Sequence, residues 1–366
     1  MSADESCPYP AERPVSAEAE PKDDAHDNSE PAAAHAGPVC VIYAYRIDGK
    51  GGAQPLDVSD YVYEHEGGVA WFHADANSPE RVITLLHRLG VSTRTATAMS
   101  RTRTRPTFFV ADEGIVLILR GVNLNPGARP DDMVALRMLV TPRLVVTLRH
   151  RRMLAVGDIK RRLARGAGPT GAGRFIADLV ECTSGRMEPV IEELMERLDE
   201  LDDRLDRSTC ATATERVELS DIRHQSIRLR RYIAPQRDLL ARLLADAASG
   251  AHPIIGQLLG QDERAVLHES ADRFARFVED LDLIQQRSAL TSEEIAQQQT
   301  ARVNRSLFIL SVISLVFVPV SAITSLLGVN LGGIPLADSP IAFAVLCGIL
   351  VVVIAGEIAI LARLFK

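Results

Sequence analysis

The chain has 366 residues, of which 46% are hydrophobic and 24% are charged, and its formal net charge is −7 at pH 7. This length suffices for one large domain or two ordinary ones. The apolar residues concentrate near the C-terminus, where positions 306–337 and 339–356 contain no charged side chain. Two such stretches exclude a simple soluble enzyme and predict a membrane protein with a large water-soluble N-terminal part.

Residues 1–38 form an acidic segment rich in proline and alanine. It contains nine acidic and two basic residues, which account for the formal net charge of the whole chain. Because large apolar side chains are almost absent, the segment cannot bury enough surface to offset the entropy cost of ordering. We therefore predict a disordered tail. It has no cationic start followed by an apolar core, so we do not interpret it as a signal peptide.

Residues 39–165 are predicted to form a cytosolic α/β domain. Short runs rich in β-branched and aromatic residues predict strands, and turn-forming residues separate several of them. A helix is predicted between strands at residues 79–89. The predicted strands cover residues 39–45, 69–73, 107–110, 115–120, 133–140 and 144–148.

Residues 166–300 are predicted to be helical. In the first helix, apolar residues recur at alternating spacings of three and four, which is typical of a coiled-coil seam. A second helix is predicted at 215–248, and a third from about residue 254, which continues without a strong break into the apolar stretch. At 1.5 Å per residue this third helix is a rod of about 100 Å. The seam residues are Ile191, Leu194, Leu198, Leu201 and Leu205.

Residues 301–366 are predicted to form a transmembrane domain. The spans cover about 306–327 and 341–362, each long enough to cross a hydrocarbon layer of about 30 Å. The loop at 328–340 contains no Lys or Arg, whereas basic residues flank the other ends of both spans. The positive-inside rule therefore predicts a multi-pass protein with both termini in the cytosol and the loop outside. We expect the membrane to be the plasma (inner) membrane. The flanking residues are Arg302, Arg305, Arg363 and Lys366.

A polar stripe runs along one face of the first predicted span. Small residues at such spacing commonly serve helix–helix packing, which is one interpretation. The other is a water-lined pore, which requires an oligomer because two helices cannot enclose a pathway. We refer to the following seven residues as the stripe: Asn304, Leu307, Ser311, Ser314, Val318, Ser321 and Ser325.

The loop after the first span begins with Gly328, Val329 and Asn330. The tripeptide alone carries little information, because Gly121, Val122 and Asn123 repeat it in the soluble part. Its position at the outer end of a polar-faced span makes the second copy informative. We therefore take Gly328, Val329 and Asn330 as a candidate selectivity motif.

This organisation resembles the CorA family of divalent cation transporters. Family members share a cytosolic α/β-then-helical domain, two C-terminal spans and a Gly-x-Asn signature, whose usual middle residue is Met rather than Val329. The run GVNLGGIP at 328–335 is more similar to the zinc-transporter branch, ZntB, than to the magnesium branch. Three runs in the soluble part are likewise more similar to ZntB: LRGVNLNPG at 119–127, DMV at 132–134 and RRYIAPQR at 230–237.

The resemblance implies a funnel-shaped homopentamer in the lipid bilayer. Five first spans would line the pore, and the asparagines would form a ring at its outer mouth. The implied cargo is a divalent cation, with Zn²⁺ favoured and a Mg²⁺ or Co²⁺ channel as the alternative. No cofactor is expected.

The ligand chemistry does not indicate a tight metal site. Zinc in proteins is usually bound by His and Cys, but the stripe contains neither, and all nine histidines precede residue 269. A ring of amides and hydroxyls can instead hold the waters of a hydrated ion. Leu307 and Val318 are candidate apolar constrictions.

Glu357 is the only acidic residue inside a predicted span. An intramembrane carboxylate is a candidate for proton coupling. Its position near the cytosolic end, two turns before Arg363, favours the alternative that it reaches the aqueous interface.

Other charged groups have plainer interpretations. The acidic pairs Glu192–Glu193 and Asp202–Asp203 are candidates for a regulatory cation site, but solvated helix faces are the favoured interpretation. The basic run at 149–165 lacks interleaved aromatic residues, so nucleic acid is not expected as a partner. Subunit contacts or anionic lipid are the favoured interpretations of this run. No nucleophile–base pair or phosphate loop supports an enzyme. The remaining alternative of a different class is a membrane-anchored oligomeric sensor or scaffold, which would need no polar stripe.

Overall fold

The computed structural model describes residues 40–57, 68–101, 105–208, 210–327 and 341–364. The acidic tail, the Gly328–Asn330 motif and the predicted outer loop lie outside these residues. The described elements are β1 (Val41–Ile47), β2 (Ala53–Pro55), β3 (Val69–Asp75), α1 (Pro79–Arg88), α2 (Thr93–Ser100), β4 (Thr107–Val110), β5 (Ile115–Gly121), β6 (Val134–Val140), β7 (Leu144–Arg149), α3 (Leu154–Ala164), α4 (Ala172–Arg207), α5 (Ala213–Ser249), α6 (Pro253–Leu258), α7 (Gln261–Leu327) and α8 (Ala342–Leu364).

The strands form one mixed sheet in the order β2-β1-β3-β7-β6-β5-β4. Only the β3–β7 pair is parallel among the described strands, with Trp71 opposite Val145. The other neighbours are antiparallel, and short turns join three of these pairs, β1–β2, β4–β5 and β6–β7. The predicted α/β domain followed by long helices is confirmed.

Both faces of the sheet are covered. Successive side chains of a strand point to opposite faces, so Leu117 belongs to the core that contains α3 and α4, whereas its neighbour Val116 faces α1 and α2. Trp71 is fully buried and packs edge-on against Phe175 of α4, with ring centroids 4.9 Å apart. This contact joins the sheet to the helical region.

The predicted leucine seam lies inside the helical bundle. Ile191, Leu194, Leu198 and Leu201 of α4 are buried in the core that α5 and α7 complete. The turn before α5 is defined by a capping box, in which Thr212 and Glu215 satisfy each other's backbone N–H groups.

The long helix begins later than the predicted residue 254. Residues 253–258 form the separate helix α6, and α7 starts at Gln261. The chain is extended at Leu259, whose carbonyl oxygen accepts a hydrogen bond from Arg264 Nε at 2.9 Å. A Cβ atom at Gly173 would lie only 1.7 Å from the Leu258 carbonyl oxygen, so α4 and this break pack in direct contact. Close packing against α4 therefore separates α6 from α7.

Helix α7 has 67 residues, which corresponds to about 100 Å at 1.5 Å per residue. Its N-terminal half is held to α4 and α5 by buried residues spaced three and four apart. Its C-terminal part contacts α8 instead. We refer to the buried residues as the α7 seam: Leu267, Ser270, Phe274, Phe277, Leu281, Ile284, Ser288 and Ile295.

Candidate ion pathway

All seven residues of the stripe lie on α7 and are exposed in the protomer. Leu307 is 55% exposed and Val318 is 64% exposed. Large apolar neighbours, including Phe308, Ile313 and Phe317, are exposed as well. An uninterrupted exposed apolar segment of this size is expected for a surface that lies in lipid or against other subunits.

Helix α8 packs on the side of α7 that faces away from the stripe. The half-buried residues in this part of α7 are Val312, Val316, Pro319, Val320 and Ile323. At 100° per residue, their mean direction is about 150° from that of the stripe. The serines therefore do not mediate packing between the two apolar helices of one protomer.

Nearer the helical bundle, the side of α7 that carries the stripe is also left open. Ile284, Ser288 and Ile295 of the α7 seam contact α4 and α5 from a direction roughly opposite to that of Asn304 and Leu307. The described helices α4, α5 and α8 thus all lie on the other side of α7. Within the part of the chain that the structure describes, the stripe is therefore a continuous face that no other helix covers.

The Ser311 hydroxyl illustrates the chemistry that this face offers. Its Oγ donates a hydrogen bond to the Leu307 carbonyl oxygen at 2.8 Å. Because the proton is used within the helix, the lone pairs of Oγ remain available as acceptors. Such an oxygen can accept a hydrogen bond from a water molecule bound to a cation.

Glu357 lies on the half-buried face of α8, together with Leu350, Val353 and Ile354. Its Oε2 atom is enclosed and has no hydrogen-bond partner. The carboxyl group is thus partly enclosed by its neighbours, which keeps Glu357 as a candidate for proton coupling.

The second copy of the Gly-Val-Asn tripeptide has a structural role. Asn123 is 2% exposed, and its Oδ1 atom accepts a hydrogen bond from Asn125 Nδ2 at 2.7 Å. Its backbone N–H donates to the Pro130 carbonyl oxygen at 3.2 Å. Asn123 therefore organises the loop after β5, far from α7's apolar part.

The acidic pairs do not form a cation site within the protomer. Asp202 accepts hydrogen bonds from Arg287 Nη2 at 2.7 Å and from Thr291 Oγ1 at 3.1 Å. Asp203 pairs with Arg207 of its own helix. No group of three or more His, Cys, Asp or Glu side chains that could hold a metal ion occurs among the residues that the structure describes.

The α7 seam was not anticipated from the sequence, although it sets the orientation of the stripe. Its three-and-four spacing is present in the sequence, but Ser270 and Ser288 interrupt the apolar pattern and obscure it. Of the described helices, α7 is long and apolar enough to cross a membrane by length and composition. The apolar part of α8, Phe343–Glu357, is shorter.

Comparison with known proteins agrees with this arrangement. The family model described as "CorA-like Mg2+ transporter protein" matches residues 66–363. The chain belongs to the CorA-like family. It is 35% identical over 316 residues to the zinc transport protein ZntB of Pectobacterium atrosepticum, covering 86% of this chain and 93% of that protein. It is also 33% identical over 313 residues to the divalent cation transporter CmaX of Pseudomonas aeruginosa, covering 84% of this chain and 91% of that protein.

A solved structure supports the same relationship. The full-length CmaX structure superposes with a TM-score of 0.76 at 30% identity, covering 89% of this chain and 98% of that one. The resemblance to the CorA family and its ZntB branch, inferred from the sequence, is thus confirmed. The chain is a divalent cation transporter of the CorA-like family and not an enzyme.

Proposed function

We propose that the chain is a homopentamer that moves divalent cations, preferentially Zn²⁺, through a central pore lined by the stripe of α7. The observation that carries this proposal is the orientation of α7. Every helix that contacts α7 in the described protomer lies opposite the stripe, which leaves this polar face for a shared axis. A scaffold whose helices only anchored it would need no such face.

The cation would pass with its inner hydration shell. The described residues contain no cluster of metal ligands, and removing water from a small divalent cation is costly. Hydroxyls such as that of Ser311 can accept hydrogen bonds from the ion's water without replacing it. Leu307 and Val318 would form apolar constrictions between the polar rings.

Gly328, Val329 and Asn330 would form the selectivity motif at the outer mouth. The glycine would end α7, and five Asn330 side chains would present amide oxygens to the entering ion. Glu357, whose Oε2 atom is enclosed, is the proposed proton-coupling residue.

The proposed topology has two spans, at about 306–327 and 341–362, with both termini in the cytosol and the loop outside. The basic flanks of the two apolar stretches support it. The proposed domains are the tail (1–38), the α/β domain (39–165), the helical region (166–300) and the transmembrane domain (301–366).

The preference for zinc rests on the relatives named as zinc transport proteins. A Mg²⁺ or Co²⁺ channel is the alternative, supported by the description of the family model. A flux assay in liposomes with Zn²⁺, Mg²⁺ and Co²⁺, each with and without a pH gradient, distinguishes them. We expect saturable Zn²⁺ flux that exceeds the flux of the other two ions. Equal or greater Mg²⁺ flux would reject the zinc assignment, and no flux of any ion would reject the pore.

A further inference from the structure

A cleft between α3, α4 and α7 carries an excess of positive charge that the ion pathway does not use. Its volume is about 480 Å³. Five arginines line it: Arg161, Arg162, Arg165, Arg186 and Arg273. The acidic residues in its lining are Asp158 and Glu181, so five positive and two negative charges leave a formal excess of three.

The two carboxylates hold three of the five guanidinium groups in place, and Arg273 pairs with Glu269 of its own helix. Asp158 accepts hydrogen bonds from Arg186 Nε at 2.5 Å and Nη2 at 2.7 Å, and it also pairs with Arg161. Glu181 accepts a hydrogen bond from Arg162 Nη1 at 3.0 Å. A guanidinium has five N–H donors, so each of these arginines retains donors for a ligand. The cleft is therefore preorganised, which lowers the entropy cost of binding an anion.

The α4 side of the cleft leaves space beside a buried thiol. A Cβ atom built at Gly185 would have no neighbouring heavy atom within 4 Å, so this position of α4 opens into the cleft. The adjacent Cys182 thiol is buried, and burial raises its pKa to about 11. At neutral pH the sulfur is thus protonated when no cation is bound.

We propose that this cleft binds a soluble anion that carries two or more linked phosphate groups, of the nucleoside-diphosphate or inorganic polyphosphate class. Guanidinium groups bind phosphate oxygens through paired N–H donors. The charge excess matches a di- or triphosphate, and a single small ion would leave much of the volume unfilled.

The position of the cleft favours a soluble anion over a lipid headgroup. Arg273 and Ser306 are separated by about 50 Å along α7, at 1.5 Å per residue. The headgroup layer on each side of a bilayer is only several ångströms thick. Because Arg273 belongs to α7, a bound phosphate group would contact the helix that carries the stripe.

Isothermal titration calorimetry on the detergent-solubilised full chain, in EDTA, tests the proposal with inorganic triphosphate and ADP as probes. We expect saturable binding of one anion per chain that weakens as salt rises. Two variants should weaken it at least tenfold. Gly185→Leu fills the cleft without changing a charge, and Arg161→Gln with Arg165→Gln removes two exposed donors without filling it.

Arg207→Gln is the matched control, because Arg207 is a 79%-exposed arginine of α4 that lies outside the cleft. Its affinity should equal that of the unmodified chain. Absence of binding at millimolar triphosphate and ADP, or an equal loss of affinity in the control, would overturn the proposal. Binding of ADP but not of triphosphate would support the nucleotide source, and equal binding of both would support recognition of the phosphates alone.

Discussion

Acidification should destabilise the soluble domain through His73. The side chain is buried between β7 and the Tyr43 ring, which stacks on it with a centroid distance of 4.9 Å. The Thr147 hydroxyl donates to the Phe72 carbonyl oxygen at 3.2 Å, so the 2.8 Å contact from His73 Nδ1 to Thr147 Oγ1 is donated by the imidazole. Burial, with the positive charges of Arg149 and Lys160, lowers the pKa of His73 from 6.5 to about 3.

The sign and size of the effect follow from proton linkage. Between pH 6.5 and pH 3 the unfolded chain binds a proton at His73 that the folded chain does not. The stabilisation that the neutral His73 gives to the fold is therefore complete above pH 6.5. The free energy of unfolding falls as the pH drops below this value. At pH 5, 1.5 units below the unfolded-state pKa, the loss is about 2 kcal/mol at ~1.36 kcal/mol per unit.

Urea unfolding followed by tryptophan fluorescence measures this loss directly. The chain has one tryptophan, Trp71, whose Nε1 donates to Thr147 Oγ1 at 2.9 Å. Between pH 7 and pH 5, the unmodified chain should lose about 2 kcal/mol more unfolding free energy than His73→Gln. The exposed His87→Gln is the control and should behave like the unmodified chain. Parallel pH profiles for the unmodified chain and His73→Gln would refute this reasoning.

The remaining predictions concern the ion pathway and the bundle. Asn330→Ala should abolish divalent cation flux in liposomes while the oligomer stays assembled, because the ring loses its amide oxygens; Asn123→Ala, in the structural copy, should leave flux nearly normal. Glu357→Gln should flatten the pH dependence of flux, and an unchanged profile would exclude proton coupling at this residue. Arg287→Ala should lower the free energy of urea unfolding by about 1 kcal/mol, because Asp199 and Asp202 of α4 lose their cationic partner on α7; no change would show that these ion pairs contribute nothing.

The local pattern of apolar and turn-forming residues was sufficient to predict the longer helices and strands of the fold. The strand predicted at 115–120 is β5, Ile115–Gly121, because its apolar run is bounded by turn residues. Helix α2, Thr93–Ser100, was not predicted, since it is rich in threonine and lacks an apolar stripe. Tertiary contacts hold it instead: Glu113 accepts hydrogen bonds from the Ser92 backbone N–H and from Thr95 Oγ1.

The candidate site was only partly predictable for the same reason. Helical spacing identifies the seven stripe residues, but spacing alone does not say which neighbour they face. The neighbour depends on where α8 and the α7 seam pack. These packing contacts join residues that are distant in the sequence. The enclosure of Glu357 Oε2 is likewise a tertiary property, which its position in the sequence does not reveal.

Cysteine accessibility along α7 tests the central claim most directly, which is that the stripe faces water in the assembled protein. Cys347 is first replaced by serine, and Ser314→Cys and Val316→Cys are compared in liposomes with a charged, water-soluble thiol reagent. Val316 is the matched position, two residues away on the half-buried side. We expect rapid modification of Ser314→Cys with loss of Zn²⁺ flux, and no reaction at Val316→Cys. Equal reactivity at both positions, or reaction at Val316→Cys alone, would contradict a pore lined by this face.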